Sequence, residues 1–479
     1  VARFDNNLVV IGGGSAGLIA ALIGATLRAR VTLIEKAEMG GDCLNTGCVP
    51  SKTLIRSAKV AHYQRSGARF GLSNLAPQVD FPRVMQRVQE VIATIEPKDS
   101  MARYRDLGVN CIAGEACLLD GHHVAVGDQR ISTRNIVLAT GAMPAVPPLP
   151  GLAQADALTS ESLWSLTELP ERLLVLGGGP IGCELAQSFA RLGSAVTLVD
   201  MEDRLLPRED ADVSGFMQSA LAAEGIDVRL GHRAERVEPV ANGAGVLHAQ
   251  VLGESVGIGF DRILVAAGRR AHTDGLGLEQ LGIATNPDGT VVVDRYLRTA
   301  CKSVYACGDV VGPYQFTHMA SHQAWYAAVN ALFGRFRKFP VNYSVVPWTT
   351  FTDPEVARVG LSEAEARAQG VAFEVVRFEL SESDRALADG TAQGWVKVLT
   401  KPGTDRILGV SIVGPHAGEM LAEYVLAMTH SLGLKKIMDT IHVYPTLAEA
   451  NKFAASAWRR DHAPQGLLRW VGRLHALLR

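Results

Sequence analysis

Gly40-Gly41-Asp42-Cys43-Leu44-Asn45-Thr46-Gly47-Cys48-Val49-Pro50-Ser51-Lys52 is the stretch that decides how the chain is read. Two cysteines lie five positions apart on a glycine-rich loop that runs into a helical stretch. The spacing lets the chain curl so that the two sulfurs can bond, with Cys48 near the helix N-terminus. Unpaired N–H groups and the helix dipole stabilise a thiolate at that point. Lys52 follows Cys48 by one helical turn, which puts its ammonium on the same face. A loop of this kind suits a disulfide that opens and closes. Two plainer readings stand beside that one, a pair of reduced core thiols and half of a zinc site. Zinc would need two further ligands at matching spacing, and none is obvious nearby.

Working outward, Leu8-Val9-Val10-Ile11 reads as a buried parallel strand, followed by Gly12-x-Gly14-x-x-Gly17 and an apolar helix. Val31-Thr32-Leu33-Ile34 is the next strand and ends in Glu35, with Lys36 beside it. The first glycine permits the turn, the second admits a pyrophosphate, and the third lets helix pack on strand. Glu35 sits where a carboxylate takes ribose hydroxyls. The apolar run from Leu8 to Leu27 holds Gly12, Gly13, Gly14, Ser15 and Gly17, so strand, turn and helix explain it better than a membrane span or signal peptide. The pattern recurs. Leu173 to Leu176 leads into Gly177-x-Gly179-x-x-Gly182, and Val196 to Val199 ends at Asp200. Two such units imply two dinucleotides.

In this setting the cysteine stretch matches a Gly-Gly-x-Cys-x-Asn-x-Gly-Cys-x-Pro-Ser-Lys signature throughout. The sequence resembles the class I pyridine nucleotide-disulfide oxidoreductases: lipoamide dehydrogenase, glutathione reductase and mercuric reductase. The resemblance covers roughly residues 5 to 460. It implies an α/β protein with two Rossmann-like dinucleotide-binding domains and a C-terminal α+β dimerisation domain. Residues 1–150 would form the first part of the FAD-binding domain, 151–270 the NAD(P)-binding domain and 271–344 the second FAD part. Residues 345–460 would form the interface domain and 461–479 a basic amphipathic tail. Phe81 to Leu107 reads as helical, and Pro144, Pro147, Pro148 and Pro150 as a stiff crossover.

The resemblance further assigns FAD to the first glycine turn and the nicotinamide to the second. It makes Cys43 the interchange thiol and Cys48 the charge-transfer thiol, with Lys52 near the flavin and paired to Glu184. Gly41, Thr140 and Gly141 fall in FAD segments, Asp309 takes the ribityl chain, and His318 lies near the flavin's pyrimidine end. Gly268 marks the return from the nicotinamide domain. A disulfide accepts electrons as a pair, and a flavin can pass them on from hydride.

The acceptor is decided later in the chain. The family's interface domain usually ends in His-Pro-Thr-x-x-Glu, whose histidine serves the attacking thiol as acid and base. Here the run is His442-Val443-Tyr444-Pro445-Thr446-Leu447-Ala448-Glu449. On a strand His442 would share a face with Tyr444, about 7 Å away. Tyrosine, with a pKa near 10, is a poor general base at neutral pH. Mercuric reductases resemble this chain in Tyr444, Thr446 and Glu449, and a soft metal ion held by thiolates needs electrons more than a proton shuttle. They usually also carry a C-terminal cysteine pair, which this tail lacks. The first reading is therefore a mercuric-reductase-like enzyme passing electrons to a small-molecule or metal-ion acceptor, with dihydrolipoamide dehydrogenase as the enzyme alternative. Soluble transhydrogenases share the Tyr-Pro-Thr run but lack the intact cysteine pair. A catalytically silent flavin-binding sensor or assembly module is the alternative of another class, and retention of Cys43, Cys48 and Lys52 argues against it.

With 479 residues the chain expects several domains, and a net charge of −2 offers nothing to nucleic acid. Seven cysteines in so long a chain point to a reducing cytoplasm, not a secreted scaffold. Cys111, Cys117, Cys183, Cys301 and Cys307 read as buried apolar residues, and no resident metal is expected. Asp200, with Glu202 and Asp203 after it, repels a 2′-phosphate and favours NADH over NADPH. If the resemblance holds the enzyme is a homodimer, with Tyr444 and Glu449 facing the partner's Cys43. Beyond Pro464, Leu467, Val471, Leu474 and Leu478 recur at helical spacing beside Trp470, Arg469, Arg473 and Arg479. Such a helix packs on its own dimer, or makes weak contact with an anionic membrane or a partner. The first residue is Val1, which fits a processed product or a piece of a longer protein.

Overall fold

The computed structural model describes residues 4–479. Strand Asn6–Ile11 is apolar on both faces over Leu8 to Ile11, as an interior parallel strand requires. It pairs in parallel with Val31–Glu35 on one side, Leu8 opposite Val31, and with Gln129–Leu138 on the other, Val9 opposite Ile136. Asn110–Ala113 and Val304–Ala306 extend the parallel sheet outward. The first half of Gln129–Leu138 turns antiparallel to His123–Val126, so one long strand serves both a parallel core and a short meander. Helices Ser15–Thr26 and Thr317–Phe333 pack against one another, and both bury small residues, Ala16, Ala20 and Ala21 on one and Ala320, Ala324 and Ala327 on the other, while Gly24 lies against Val31 and Leu8 of the sheet.

A second parallel sheet repeats the construction in the order Asp227–Arg229, Ala195–Val199, Arg172–Leu176, Arg262–Val265. A three-stranded antiparallel sheet, Arg233–Pro239, Gly245–Val251 and Glu254–Phe260, is set beside it in sequence. The proline-rich crossover is more ordered than a plain linker. Ala142–Pro144 forms an antiparallel ribbon with Arg269–Ala271, which ties the two crossings together. The helical stretch after Phe81 divides into Phe81–Ile95 and Met101–Asp106, with Pro97 in the turn between them.

The chain groups into two compact units. One runs to Ala68 and takes in Leu72–Leu205 and Leu221–Asn342, and it holds both parallel sheets. The other comprises Arg69–Gly71, Leu206–Ala220 and Tyr343–Arg479. Its antiparallel sheet runs Pro347–Thr350, Glu355–Gly360, Ile407–Gly414, Trp395–Thr400, Glu374–Glu379. Helices Ala417–Thr429, Leu434–Asp439 and Glu449–Asp461 contribute to its core with Tyr424, Ile437 and Trp458. Leu206–Ala220 falls within the stretch read from sequence as nicotinamide-binding, yet it groups here, and charge explains why. The buried Lys397 ammonium reaches Asp210 at 2.9 Å, Asp212 at 2.9 Å and Glu363 at 3.0 Å. Arg358 pairs with Glu365 at 2.9 Å and lies 3.5 Å from Glu209. Phe216 meets Trp395 edge to face.

Candidate active site

The cysteine loop is built against the first glycine turn. Gly40 (φ 87°) and Gly41 (φ 57°) adopt left-handed backbone, and a Cβ on Gly41 would lie 2.7 Å from the Gly14 Cα. The Gly40 amide donates to the Gly13 carbonyl at 2.9 Å. Asn45 donates to the Met39 and Gly41 carbonyls, Thr46 Oγ1 donates to Asp42 Oδ1 at 2.6 Å, and the Trp164 indole donates to the Thr46 carbonyl. Helix Cys48–Arg65 then begins on Cys48, which sets the thiol at the positive end of the helix. Cys48 Sγ lies 3.3 Å from Thr317 Oγ1, the first residue of helix Thr317–Phe333. A hydrogen bond from the Cys43 thiol holds the Cys48 thiol down to about 6, opposed chiefly by burial and slightly by the Asp42 carboxylate, and helped by Thr317 and the Lys52 ammonium. The same bond, with burial, pushes Cys43 up. The two shifts run in opposite directions and favour a thiolate at Cys48 beside a protonated Cys43. Lys52 Nζ donates to Glu184 Oε2 at 2.8 Å, and Glu184 is buried in helix Pro180–Leu192.

The two glycine turns are alike in detail. A Cβ on Gly12 would meet the Ala139 carbonyl oxygen at 2.3 Å, and one on Gly17 the Gly12 carbonyl oxygen at 1.7 Å. The matching distances are 2.4 Å for Gly177 against Ala266 and 1.8 Å for Gly182 against Gly177. The middle glycines differ from these. Gly14 has only the Gly41 Cα near it, at 3.7 Å, and Gly179 has nothing within 4 Å. Outer glycines therefore close the chain on itself, while the middle ones leave the space that a pyrophosphate needs at a helix N-terminus. Glu35 accepts from the Gly13 and Ala37 amides at 2.5 and 2.7 Å. Asp200 accepts in the same way from the Gly178 and Glu202 amides. Both carboxylates are held by backbone amides beside their glycine turns, and with the open middle glycines the residues present fit two dinucleotides, FAD and a nicotinamide. Lys36 is exposed, 3.9 Å from Glu115.

Arg269, next to Gly268, joins three parts of the site. Its guanidinium lies 3.0 Å from Asp42, 3.5 Å from Asp309 and 2.9 Å from the Ala142 carbonyl. Its Nε is buried and has no hydrogen-bond partner among the described residues. Burial pushes Asp309 up to about 6, with Arg269 opposing and Asp42 adding to the rise. Thr140 Oγ1 donates to the His272 carbonyl, whose own amide donates to the Gly141 carbonyl, fixing the turn after strand Gln129–Leu138. His318 stacks on Phe316 at 5.4 Å. Arg269 and Thr317 left little trace in the sequence, because their partners, Asp42 and Asp309 for one and Cys48 for the other, lie far away in the chain.

The other candidate residues belong to the second unit. Residues 441–448 are not a strand, so the shared-face geometry expected for His442 and Tyr444 does not arise. The His442 ring is turned inward, Nδ1 to the Thr440 carbonyl at 3.0 Å and Nε2 to Glu423 at 3.0 Å. Glu423 also accepts from Asn451 at 2.9 Å. Tyr444 is 66% exposed, and its hydroxyl donates to Asp384 at 3.1 Å. That bond pushes the phenol above its ordinary value. Glu449 accepts from the Thr446 amide at 3.2 Å. Asp384 was not foreseen, because nothing in its own neighbourhood marks it. Among the described residues no group of three or more His, Cys, Asp or Glu is arranged to hold a metal ion, and no helix is long and apolar enough to cross a membrane.

Known proteins resemble the chain along nearly its whole length. The family described as pyridine nucleotide-disulphide oxidoreductase matches residues 6–324, and the dimerisation domain of that family matches 346–455. A mercuric reductase of Bacillus cereus is 34% identical over 459 residues, covering 96% of this chain and 72% of the relative. A dihydrolipoyl dehydrogenase of Thermus scotoductus is 37% identical over 463 residues, covering 95% of this chain and 98% of the relative. Among solved structures, the copper(II) complex of the HOCl-induced flavoprotein disulfide reductase RclA from Escherichia coli superposes with a TM-score of 0.83 at 31% identity, covering 95% of this chain and 99% of that one.

Proposed function

The chain belongs to the pyridine nucleotide-disulphide oxidoreductase family, FAD- and pyridine-nucleotide-dependent enzymes, and from that premise we propose that it passes electrons from NADH to a thiophilic metal ion held by Cys43 and Cys48. The family's dimerisation domain is present, in keeping with a homodimer. Bound FAD supplies the conversion between a hydride and an electron pair.

The chain's own residues do the rest. Gly14 and Gly179 leave room for the two pyrophosphates, Glu35 and Asp200 take the riboses, and Asp309 with Arg269 faces the ribityl chain. Lys52, ion-paired with Glu184, stabilises the Cys48 thiolate. The reduced thiols bind the ion, since soft thiolate ligands select soft metals. For mercury(II), NADH and the ion give NAD+, a proton and the metal atom. For copper(II), two ions give two copper(I).

The observation that carries this reading is His442. Both its ring nitrogens are engaged, by Glu423 and by the Thr440 carbonyl, and the nearby phenol of Tyr444 donates its proton to Asp384. Thiol–disulfide exchange needs a base that can take and return a proton at neutral pH. Neither group is suited to that, and His442 serves better as a brace between Glu423 and the chain. A metal ion asks for no such shuttle. Names among the relatives agree with a metal acceptor, since one is a mercuric reductase and another was solved with copper(II). The dihydrolipoyl dehydrogenase among them supports the second reading, lipoamide as acceptor.

NADH is proposed as donor because Asp200 is held by two backbone amides with Glu202 and Asp203 following it. A reducing cytoplasm, which keeps seven free thiols reduced, is proposed as the compartment. Oxidation of NADH measured in parallel with mercury(II), copper(II), lipoamide, glutathione disulfide and a quinone tests the acceptor. The metal ions should support turnover and the disulfides should not. Faster turnover with lipoamide would put the second reading first.

A further inference from the structure

We propose that helix Gln465–Leu477 is a surface-binding element that lays its apolar face on an anionic lipid membrane. None of its residues is buried, although it carries Leu467, Leu468, Trp470, Val471, Leu474 and Leu477. Leu467, Trp470, Val471 and Leu474 fall on one face at i, i+3, i+4 and i+7 spacing. Arg469 and Arg473, one turn apart, occupy the opposite side. From His462 to Arg479 there is no acidic residue and there are three arginines, and the exposed Arg459 and Arg460 lie just before them.

An apolar face and a one-signed polar face ask for different things of a partner. Acyl chains take the leucines and the indole, while anionic headgroups take the arginines, so an anionic bilayer answers both at once. A second copy offering the same helix would cover the leucines but bring like charge against like. The helix also lies outside the residues matched by the family's dimerisation domain, which end at 455. No crossing of the bilayer is involved, since the helix is too short to span it.

Sedimentation of the full-length holoenzyme with vesicles tests this, independently of which acceptor the active site serves. At low salt, phosphatidylserine–phosphatidylcholine vesicles should pellet at least about fivefold more protein than pure phosphatidylcholine, and physiological salt should reduce the difference. Arg469→Glu/Arg473→Glu and Leu467→Gln/Trp470→Gln/Leu474→Gln should each abolish pelleting while keeping flavin content and NADH oxidation. Light scattering should find the same oligomeric state for all three proteins. Equal pelleting of variants and wild type would overturn the proposal, as would no pelleting of wild type. A fall in oligomeric state on substituting the apolar face would also overturn it, because the face would then be a contact between copies.

Discussion

Cys48 owes its character to its address. It begins a helix, accepts a hydrogen bond from Cys43 and lies near Lys52, and together these hold its thiol at about 6. Below that pH the thiol takes a proton and the thiolate is lost; above it the thiolate persists. The long-wavelength charge-transfer absorbance of the two-electron-reduced enzyme should therefore be full at pH 8 and fade as pH falls through about 6. An absorbance titration checks this, and Cys48→Ser should show no such band at any pH. Arg269 sets a second residue-scale expectation. Arg269→Met leaves Asp42 and Asp309 facing each other without the cation between them, at a cost of about 3 kcal/mol in stability. Purified variant should hold less flavin and unfold at lower denaturant, and unchanged values for both would remove Arg269 from the site. The cysteines, Lys52 and Glu184 were legible because each sits in a short motif. Arg269, Thr317 and Asp384 were not, since their meaning comes from neighbours that only the folded sheets bring near.

At the scale of elements, the glycine turns separate two jobs that the sequence shows as one pattern. Gly182 has no room for a methyl group, whereas Gly179 has nothing within 4 Å. Gly182→Ala should lower stability by several kcal/mol, through overpacking against the Gly177 carbonyl. Gly179→Ala should fold with unchanged melting temperature but raise the KM for NADH about tenfold, because the methyl group occupies ligand space. Thermal melts and steady-state kinetics on the two variants distinguish the roles. The strands were readable from their apolar runs and the helices from their glycine starts. The grouping of Leu206–Ala220 with the C-terminal sheet was not, because it rests on Lys397, Arg358 and Trp395, which lie far along the chain, the two cations among them looking solvated in sequence. Lys397→Met should cost about 3–5 kcal/mol by leaving Asp210, Asp212 and Glu363 without their cation. Equilibrium denaturation measures that loss, and an effect within 0.5 kcal/mol, as for an ordinary surface change, would contradict it.

At the scale of the whole molecule, the chain shares its fold with disulfide reductases, and the proposed reading gives the choice of acceptor to a few residues of the C-terminal unit. In the proposed homodimer Tyr444 and Glu449 serve the partner's Cys43. Mixing inactive Cys43→Ser and Glu449→Ala subunits should then restore part of the activity, and hybrids that form without restoring any would mean that each subunit is self-contained. The family and its α/β architecture were legible from the two glycine turns and the cysteine stretch; the acceptor was only half legible, since a tyrosine before Pro445 says what is missing, not what replaces it. In the proposed reading His442 favours a metal acceptor, because both its ring nitrogens are engaged. The most direct test is steady-state oxidation of NADH by the wild-type dimer, comparing mercury(II) or copper(II), buffered by excess thiol, with lipoamide and glutathione disulfide. Turnover is expected with the metal ions, lost in both Cys43→Ser and Cys48→Ser, with little or none for either disulfide. Rapid turnover with lipoamide and none with the metal ions would contradict the proposed reading.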